Sequence, residues 1–276
     1  MSRDFLADMA LASRARVRAA RAQRPLAQLE RALASAPAPP ALRLHPAGFD
    51  LIAEFKLRSP AQGVLRAAGA DVGARVRAYA AGGAAAVSVL TEPARFDGEL
   101  AHLEQAASAL AGSGVPAMRK DFLVDPYQVL EARLAGAGGV LVILRMLPRA
   151  DTEALLECAH ECGLFVLLEA FDAADLELMR ALIERHGSAM RLLAGVNCRD
   201  LTSLQVVPAR LLELAPLLPQ GVPRVAESGV TGVTQARAVA AAGYELALVG
   251  SALMQGADPA ALTGELLAAG RAARSR

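Results

Sequence analysis

From residue 46 onward the chain repeats one unit eight times: a short apolar run, a polar loop, and an alanine-rich stretch with apolar residues at helical period. The runs are Leu51–Phe55, Ala85–Leu90, Val115–Arg119, Val140–Leu144, Leu164–Leu168, Leu192–Val196, Val222–Ala226 and Leu246–Val249. An apolar run without alternation reads as a strand buried on both faces. Such strands alternating with helices imply a parallel sheet. Eight units and no ninth fit a closed (β/α)₈ barrel, the TIM barrel, better than an open doubly wound sheet. The length of 276 residues is in keeping with the ~250 typical of that barrel. Asp71, Asp125, Asp151, Asp172, Thr231 and Asp258 stand where the helical stretches open, as capping residues or first-turn acids. No strand runs directly into G-x-G-x-x-G or a Walker loop, which argues against a dinucleotide or nucleotide site.

Residues 1–45 stand outside this repeat and read as one or two helices ended by the Pro37–Pro40 stretch. We expect this extension to cap one mouth of a single structural domain formed by residues 46–276. The segment Arg3 to Arg31 is basic but interleaved with apolar residues, as in an amphipathic helix packed on a protein. Net charge is +1, with arginines and acids intermixed, so no nucleic-acid partner is expected. No apolar run approaches the ~20 residues of a membrane span, and the N-terminus has no signal-peptide core. Three cysteines are too few for a disulfide framework and point to a reducing cytoplasm. Cys158 and Cys162 share a helix face, and without a second ligand pair they read as core packing rather than metal ligands. The expectation for assembly is a monomer or weak homodimer.

Barrel enzymes build their sites at the C-terminal ends of the strands, and rare residue types collect there. Of 29 basic residues only Lys56 and Lys120 are lysines, and Asn197 is the only asparagine. Arginine replaces lysine as a surface charge but not as a proton donor, because guanidinium stays protonated above pH ~12. Glu54 and Lys56 close the first strand two residues apart, hence on one side. Lys120 with Asp121 follows the third strand, Glu169 the fifth, Asn197 and Arg199 the sixth, and Glu227 the seventh. The fourth strand is poorest, ending in the mostly apolar Leu144 to Leu147. His45, His102, His160 and His186 lie off this rim and read as structural. Ser228-Gly229 and Gly250-Ser251 follow the seventh and eighth strands, where backbone N–H groups and a helix N-terminus can hold an anion.

These residues carry a resemblance. Ile52-Ala53-Glu54-Phe55-Lys56 with Ser59-Pro60 and Gly63, and Ser88-Val89-Leu90-Thr91-Glu92 with Phe96 and Gly98, resemble indole-3-glycerol-phosphate synthases. So do Arg119-Lys120-Asp121-Phe122 with Tyr127-Gln128 and Glu131-Ala132-Arg133, then Glu169, Gly195 to Asn197 and Arg199-Asp200-Leu201. Glu227-Ser228-Gly229 and Val249-Gly250-Ser251 complete the set, which spans residues 49 to 255, and the long N-terminal extension is also a trait of that family.

The resemblance implies a sugar-phosphate substrate, 1-(2-carboxyphenylamino)-1-deoxyribulose 5-phosphate, closed to an indole with loss of carbon dioxide and water. It implies Lys120 as general acid, Glu169 as acid/base for the dehydration, and Lys56 as second proton handler or anion binder. Glu54, Asn197 and Glu227 would orient the lysines and bind sugar hydroxyls. Ser59 belongs to the first-strand motif that lines the substrate site, and Arg199 would face the substrate carboxylate. Phe122 and Leu147 would pack on its aromatic ring, and Ser228, Gly229, Gly250 and Ser251 would hold the phosphate. No metal or organic cofactor is implied.

The chain departs from the family pattern at Ala61, Phe171, Cys198 and Ala226; the first and third bear on substrate contacts, and a thiol beside the site on oxidant sensitivity. An acid working at neutral pH favours a depressed ammonium pKa; neighbouring cations would lower it and Glu54 and Glu169 raise it, leaving the net sign open. The alternatives are a paralogous synthase of a specialised indole pathway, a sugar-phosphate isomerase, or an aldolase using a Schiff-base lysine.

Overall fold

A computed structural model describes residues 5–46, 48–59, 63–65, 71–200 and 203–274; Pro60, Ala61 and Leu201 of the motifs lie outside them. Its strands are β1 (Asp50–Phe55), β2 (Ala86–Leu90), β3 (Ala117–Lys120), β4 (Gly139–Ile143), β5 (Phe165–Ala170), β6 (Leu192–Asn197), β7 (Arg224–Glu227) and β8 (Leu246–Val249). Each pairs in parallel with the next, and β8 closes on β1. The helices are α1 (Phe5–Gln23), α2 (Leu26–Leu33), α3 (Val72–Ala81), α4 (Pro93–Phe96), α5 (Leu100–Ala109), α6 (Pro126–Leu134) and α7 (Arg149–Glu161). They continue as α8 (Ala173–His186), α9 (Ala209–Leu214), α10 (Val233–Ala241), α11 (Ser251–Gln255) and α12 (Pro259–Arg274). A short antiparallel pair, Arg58–Ser59 with Gly63–Val64, follows β1.

Strand periodicity builds two cores from one set of strands. Leu51, Ala53 and Phe55 belong to the outer core between sheet and helices, whereas Ile52 joins Ala86, Met118, Leu141, Phe165, Leu193 and Val225 inside the barrel. Burying a large apolar side chain contributes about 1.5–3 kcal/mol, so both layers favour closure. The apolar runs underestimate four strands at their ends. Lys120, Glu169, Asn197 and Glu227 are strand residues, because the parallel ladder continues through them: Leu90 opposes Lys120, Ile143 opposes Glu169, and Asn197 opposes Glu227. A polar side chain looks like loop in sequence, but its backbone still pairs.

Asp71, Asp125 and Asp172 cap their helices through backbone N–H groups, and Asp258 accepts from Ala261 N at the start of α12. Asp151 instead lies in the first turn of α7, where Pro148 holds the cap position, and Gly232 rather than Thr231 precedes α10. Cys158 and Cys162 pack against the outer core.

The N-terminal segment reaches both ends of the barrel, where the sequence indicated one. Leu6 and Met9 of α1 join the inner cluster beside Phe122 at the C-terminal mouth. Below α1, Tyr127 of α6 donates its hydroxyl to Arg24 O at 2.8 Å. The chain then descends, and Arg191, just before β6, donates to Leu42 O at 2.7 Å. Leu42 thereby closes the floor as a member of the inner cluster.

Packing inside the barrel is tight around Phe165. A Cβ at Gly139, the opposing position on β4, would lie 2.4 Å from Phe165 Cζ. Overpacking of this kind costs ~1–3 kcal/mol. Gly139→Ala should therefore lower unfolding free energy by about that amount in a denaturant titration, and an unchanged midpoint would show that the ring has room to move.

Candidate active site

The loop after β3 is held before any chemistry is considered. Met118 and Lys120 face inward, so Arg119 between them faces the helical layer. There it donates to Thr91 Oγ1 at 3.1 Å and Gln128 O at 2.9 Å, and pairs with Asp121 and Glu131, each at 3.2 Å. Asp121 accepts from Thr91 Oγ1 and Phe122 N, both at 2.8 Å. Helix α1 adds Arg16, 2.6 Å from Asp121, and Ser13, which donates to Phe122 O at 2.5 Å. Buried charges are tolerable only when paired and hydrogen-bonded, and Arg119, Asp121 and Arg16 each have at least two partners. The result is a fixed base for Lys120.

Inside the mouth the functional groups converge. Lys120 Nζ lies 3.2 Å from Glu169 Oε2 and 3.5 Å from Glu227 Oε2. Lys56 Nζ lies 2.5 Å from Glu54 Oε1. Asn197 donates from Nδ2 to Glu169 Oε2 at 3.1 Å, while its Oδ1 accepts from Arg199 N at 3.0 Å and Ser228 Oγ at 2.9 Å. The amide therefore links the fifth, sixth and seventh strand ends. Two glycines make room. A Cβ at Gly195 would stand 2.3 Å from Glu227 Oε1, and one at Gly250 would stand 2.3 Å from Glu54 Oε1.

The electrostatic sign left open by the sequence is now determined. Burial by itself lowers the Lys120 pKa, but Glu169, Glu227 and Glu54 outweigh it and hold the ammonium above the ordinary lysine range. The balance falls on the raised side because three carboxylates gather around the amine, where the sequence let only Glu54 and Glu169 be counted. Glu227 moves the other way for an acid. Burial, and then the negative charge of Glu169, push its carboxyl well above the usual carboxylate range, against the pull of Lys120. Lys120 Nζ, 3.5 Å from Oε2, is its ion-pair partner.

All these groups line one cavity of about 450 Å³, together with Ser59, Phe122, Arg199, Ser228, Gly229, Gly250 and Ser251. Its walls differ. The side nearest β7 and β8 is polar, and Ser228 and Gly229 both adopt positive φ there (66° and 75°). The opposite side is apolar: Phe122, Phe171, Ile143 and Phe96, with Phe5 and Leu6 of α1. Phe122 makes an edge contact with Phe5 at 5.8 Å between centroids. Arg199 extends along its own loop and donates to Leu204 O at 2.8 Å.

Leu147 is a correction. It is buried in the outer core, not in the cavity wall, because the short turn Leu144–Met146 after β4 carries it past the mouth. Phe171 and Ile143 occupy the wall instead. Phe171 was legible as such: it lies two residues beyond Glu169 and so shares its side of the strand. One departure, Cys198, also loses its expected weight. Ala226 and Cys198 are fully buried in the outer core, and burial pushes the Cys198 thiol up to about 11, so thiolate is scarce and oxidation is disfavoured. Among the described residues no group of three or more His, Cys, Asp or Glu is placed to hold a metal ion. Nor is any described helix long and apolar enough to cross a membrane.

Comparison with known proteins agrees with the geometry. A family model described as indole-3-glycerol phosphate synthase matches residues 6–266. An indole-3-glycerol phosphate synthase of Parafrankia sp. is 44% identical over 221 residues, covering 80% of this chain and 78% of its own. One from Micrococcus luteus is 43% identical over 242 residues, covering 85% and 86%. Among solved structures, thiamine phosphate pyrophosphorylase from Pyrococcus furiosus is similar in fold. It has a TM-score of 0.58 at 17% identity, covering 82% of this chain and 98% of that one.

Having only two lysines makes the charge network measurable. With lysine side chains isotopically labelled, two side-chain signals can be followed by NMR against pH. We expect the Lys120 signal to titrate above the ordinary lysine value of ~10.4. Glu227→Gln removes a charge that favours the ammonium, so it should move that midpoint down. A midpoint that stays put, or rises, would contradict the carboxylate account.

Proposed function

The chain belongs to the indole-3-glycerol phosphate synthase family, and on that premise we propose roles for its residues in the family's carboxy-lyase reaction of tryptophan biosynthesis. The substrate, 1-(2-carboxyphenylamino)-1-deoxyribulose 5-phosphate, carries an aromatic carboxylate at one end and a phosphate at the other. The ring carbon bearing the carboxylate attacks the ketone carbon, and the ketone oxygen takes a proton and becomes a hydroxyl. Carbon dioxide then leaves, its bonding electrons restoring the ring. Loss of that hydroxyl as water, with a proton removed by a base, completes the indole.

Lys120 is the general acid for the first step. Its three carboxylates keep it loaded with a proton at neutral pH, and the developing alkoxide is basic enough to take that proton as the C–C bond forms. Glu169, hydrogen-bonded to both Lys120 and Asn197, is the acid/base of the dehydration. Lys56 serves as the second proton handler or as a binder of the substrate's anionic groups, oriented by Glu54. Asn197 and Glu227 orient these groups and bind sugar hydroxyls. Ser228, Gly229, Gly250 and Ser251 hold the phosphate on the polar wall. Phe122 packs on the aromatic ring, Ser59 contributes to the pocket, and Arg199 meets the carboxylate. The observation that carries the reading is the pairing of both lysines with carboxylates inside one cavity that has a polar wall and an aromatic wall.

The aldolase reading is weakened by the same electrostatics. A Schiff base needs a free amine lone pair, and Lys120 is held in its protonated form. A cytoplasmic setting agrees with the free state of Cys158, Cys162 and Cys198.

Incubation of purified protein with the carboxyphenylamino sugar phosphate should generate indole fluorescence, undiminished by excess chelator. Lys120→Arg preserves charge but removes the transferable proton. General acid–base catalysis is worth ~10²–10⁴ in rate, so turnover should fall by at least that factor while substrate affinity stays within about tenfold. Near-normal turnover in this variant would remove Lys120 from the role.

A further inference from the structure

The turn Leu144–Met146 places Arg145 behind the aromatic wall of the cavity. Its guanidinium carbon lies 4.9 Å from the centroid of Phe171, inside the ~6 Å reach of a cation–π contact. Arg145 Nε donates to Asp175 Oδ2 at 2.8 Å, and Nη2 pairs with the same oxygen at 2.7 Å and bonds Asp172. Asp175 Oδ2 also accepts the Phe171 backbone N–H at 2.8 Å. One carboxylate thus holds the guanidinium over the ring and the peptide that carries the ring. Asp172 caps α8 by accepting from Asp175 N at 3.1 Å, which ties the arrangement to a full helix.

Phe171 belongs to the inner apolar cluster, so its orientation is set by those neighbours on one side and by the guanidinium over its face on the other. Phe171 is only 3% exposed yet lines the cavity, and it lies two residues beyond Glu169 on the same strand end.

We propose that Arg145 is a positioning residue: it braces Phe171 as a rigid face for the aromatic end of the substrate and steadies the strand end bearing Glu169. This rests on the reading above, in which the apolar wall receives the aminobenzoate ring. Arg145 never touches the substrate; it acts through Phe171. A planar fork is needed to engage Asp172 and Asp175 while stacking on a ring, and an ammonium offers none.

The test uses steady-state kinetics and thermal unfolding of the whole enzyme. Wild type is assayed first; absence of turnover there would sink the family-based roles, and this proposal with them. In active enzyme, Arg145→Met keeps a flexible apolar stem but loses the cation and its bonds. Because misplacement by ~1 Å can cost ~10²-fold, kcat should fall about tenfold, with KM changing less. Phe171→Leu removes the braced ring, and adding Arg145→Met to it should cost less than about a further twofold, as expected for residues acting as one unit. Should Arg145→Met not fold, Arg145→Lys keeps the charge without the fork, and the same loss in kcat is expected. The proposal is overturned if the Arg145 variants melt earlier yet keep wild-type kcat and KM, or if the two losses simply multiply in the double variant.

Discussion

An ammonium buried in a protein is stable only where negative charge stands within a few ångströms of it. At Lys120 that condition organises the whole upper half of the barrel. Glu54, Glu169 and Glu227 come from the first, fifth and seventh strands, and they can surround one amine only because the sheet closes. Glycine at positions 195 and 250 leaves room for the gathering, since a Cβ there would crowd the Glu227 or the Glu54 carboxylate. The arrangement also explains why Glu227 has a raised pKa while Lys120 does too. More negative than positive charge is packed into a dry space, and burial together with the Glu169 charge raises Glu227.

The second constraint is rigidity around that charge cluster. Lys120 points inward because Arg119 and Asp121 on either side are engaged in the helical layer and by α1. The N-terminal helix therefore does more than cover an opening: through Ser13 and Arg16 it fixes the loop that follows the proposed acid. The same segment supplies Leu42 to the floor. One extension thus closes both ends of the inner core, and residues nearly forty positions apart in sequence serve a single column of side chains.

The two walls of the cavity match the two ends of the substrate that the family acts on. Backbone at positive φ and small polar residues suit a phosphate, whereas the edge-packed phenylalanines suit an aminobenzoate ring. Between them lie the two lysines and their carboxylates. Arg145 shows how the apolar wall is stiffened from outside, by a contact between loops that follow different strands.

Much of this was legible in the residues themselves. The eight-fold alternation predicted the closed barrel, and period two put Glu54 with Lys56 on one side of a strand. The concentration of both lysines and the sole asparagine at strand ends marked the rim. These inferences hold because hydrophobic periodicity and residue chemistry are local properties of a chain. Leu147 was misplaced because a single 3₁₀ turn after β4 redirects the backbone, and no periodicity records such a turn. The sign of the Lys120 shift, the floor contact of Leu42 and the bracing of Phe171 were also out of reach. Each depends on distances between groups tens of residues apart, and Coulomb energies and packing respond to those distances, not to sequence spacing. What the chain alone determined was which groups would be present and which way each strand would aim them. Only the closed three-dimensional structure decided which of them would stand close enough to set each other's charge.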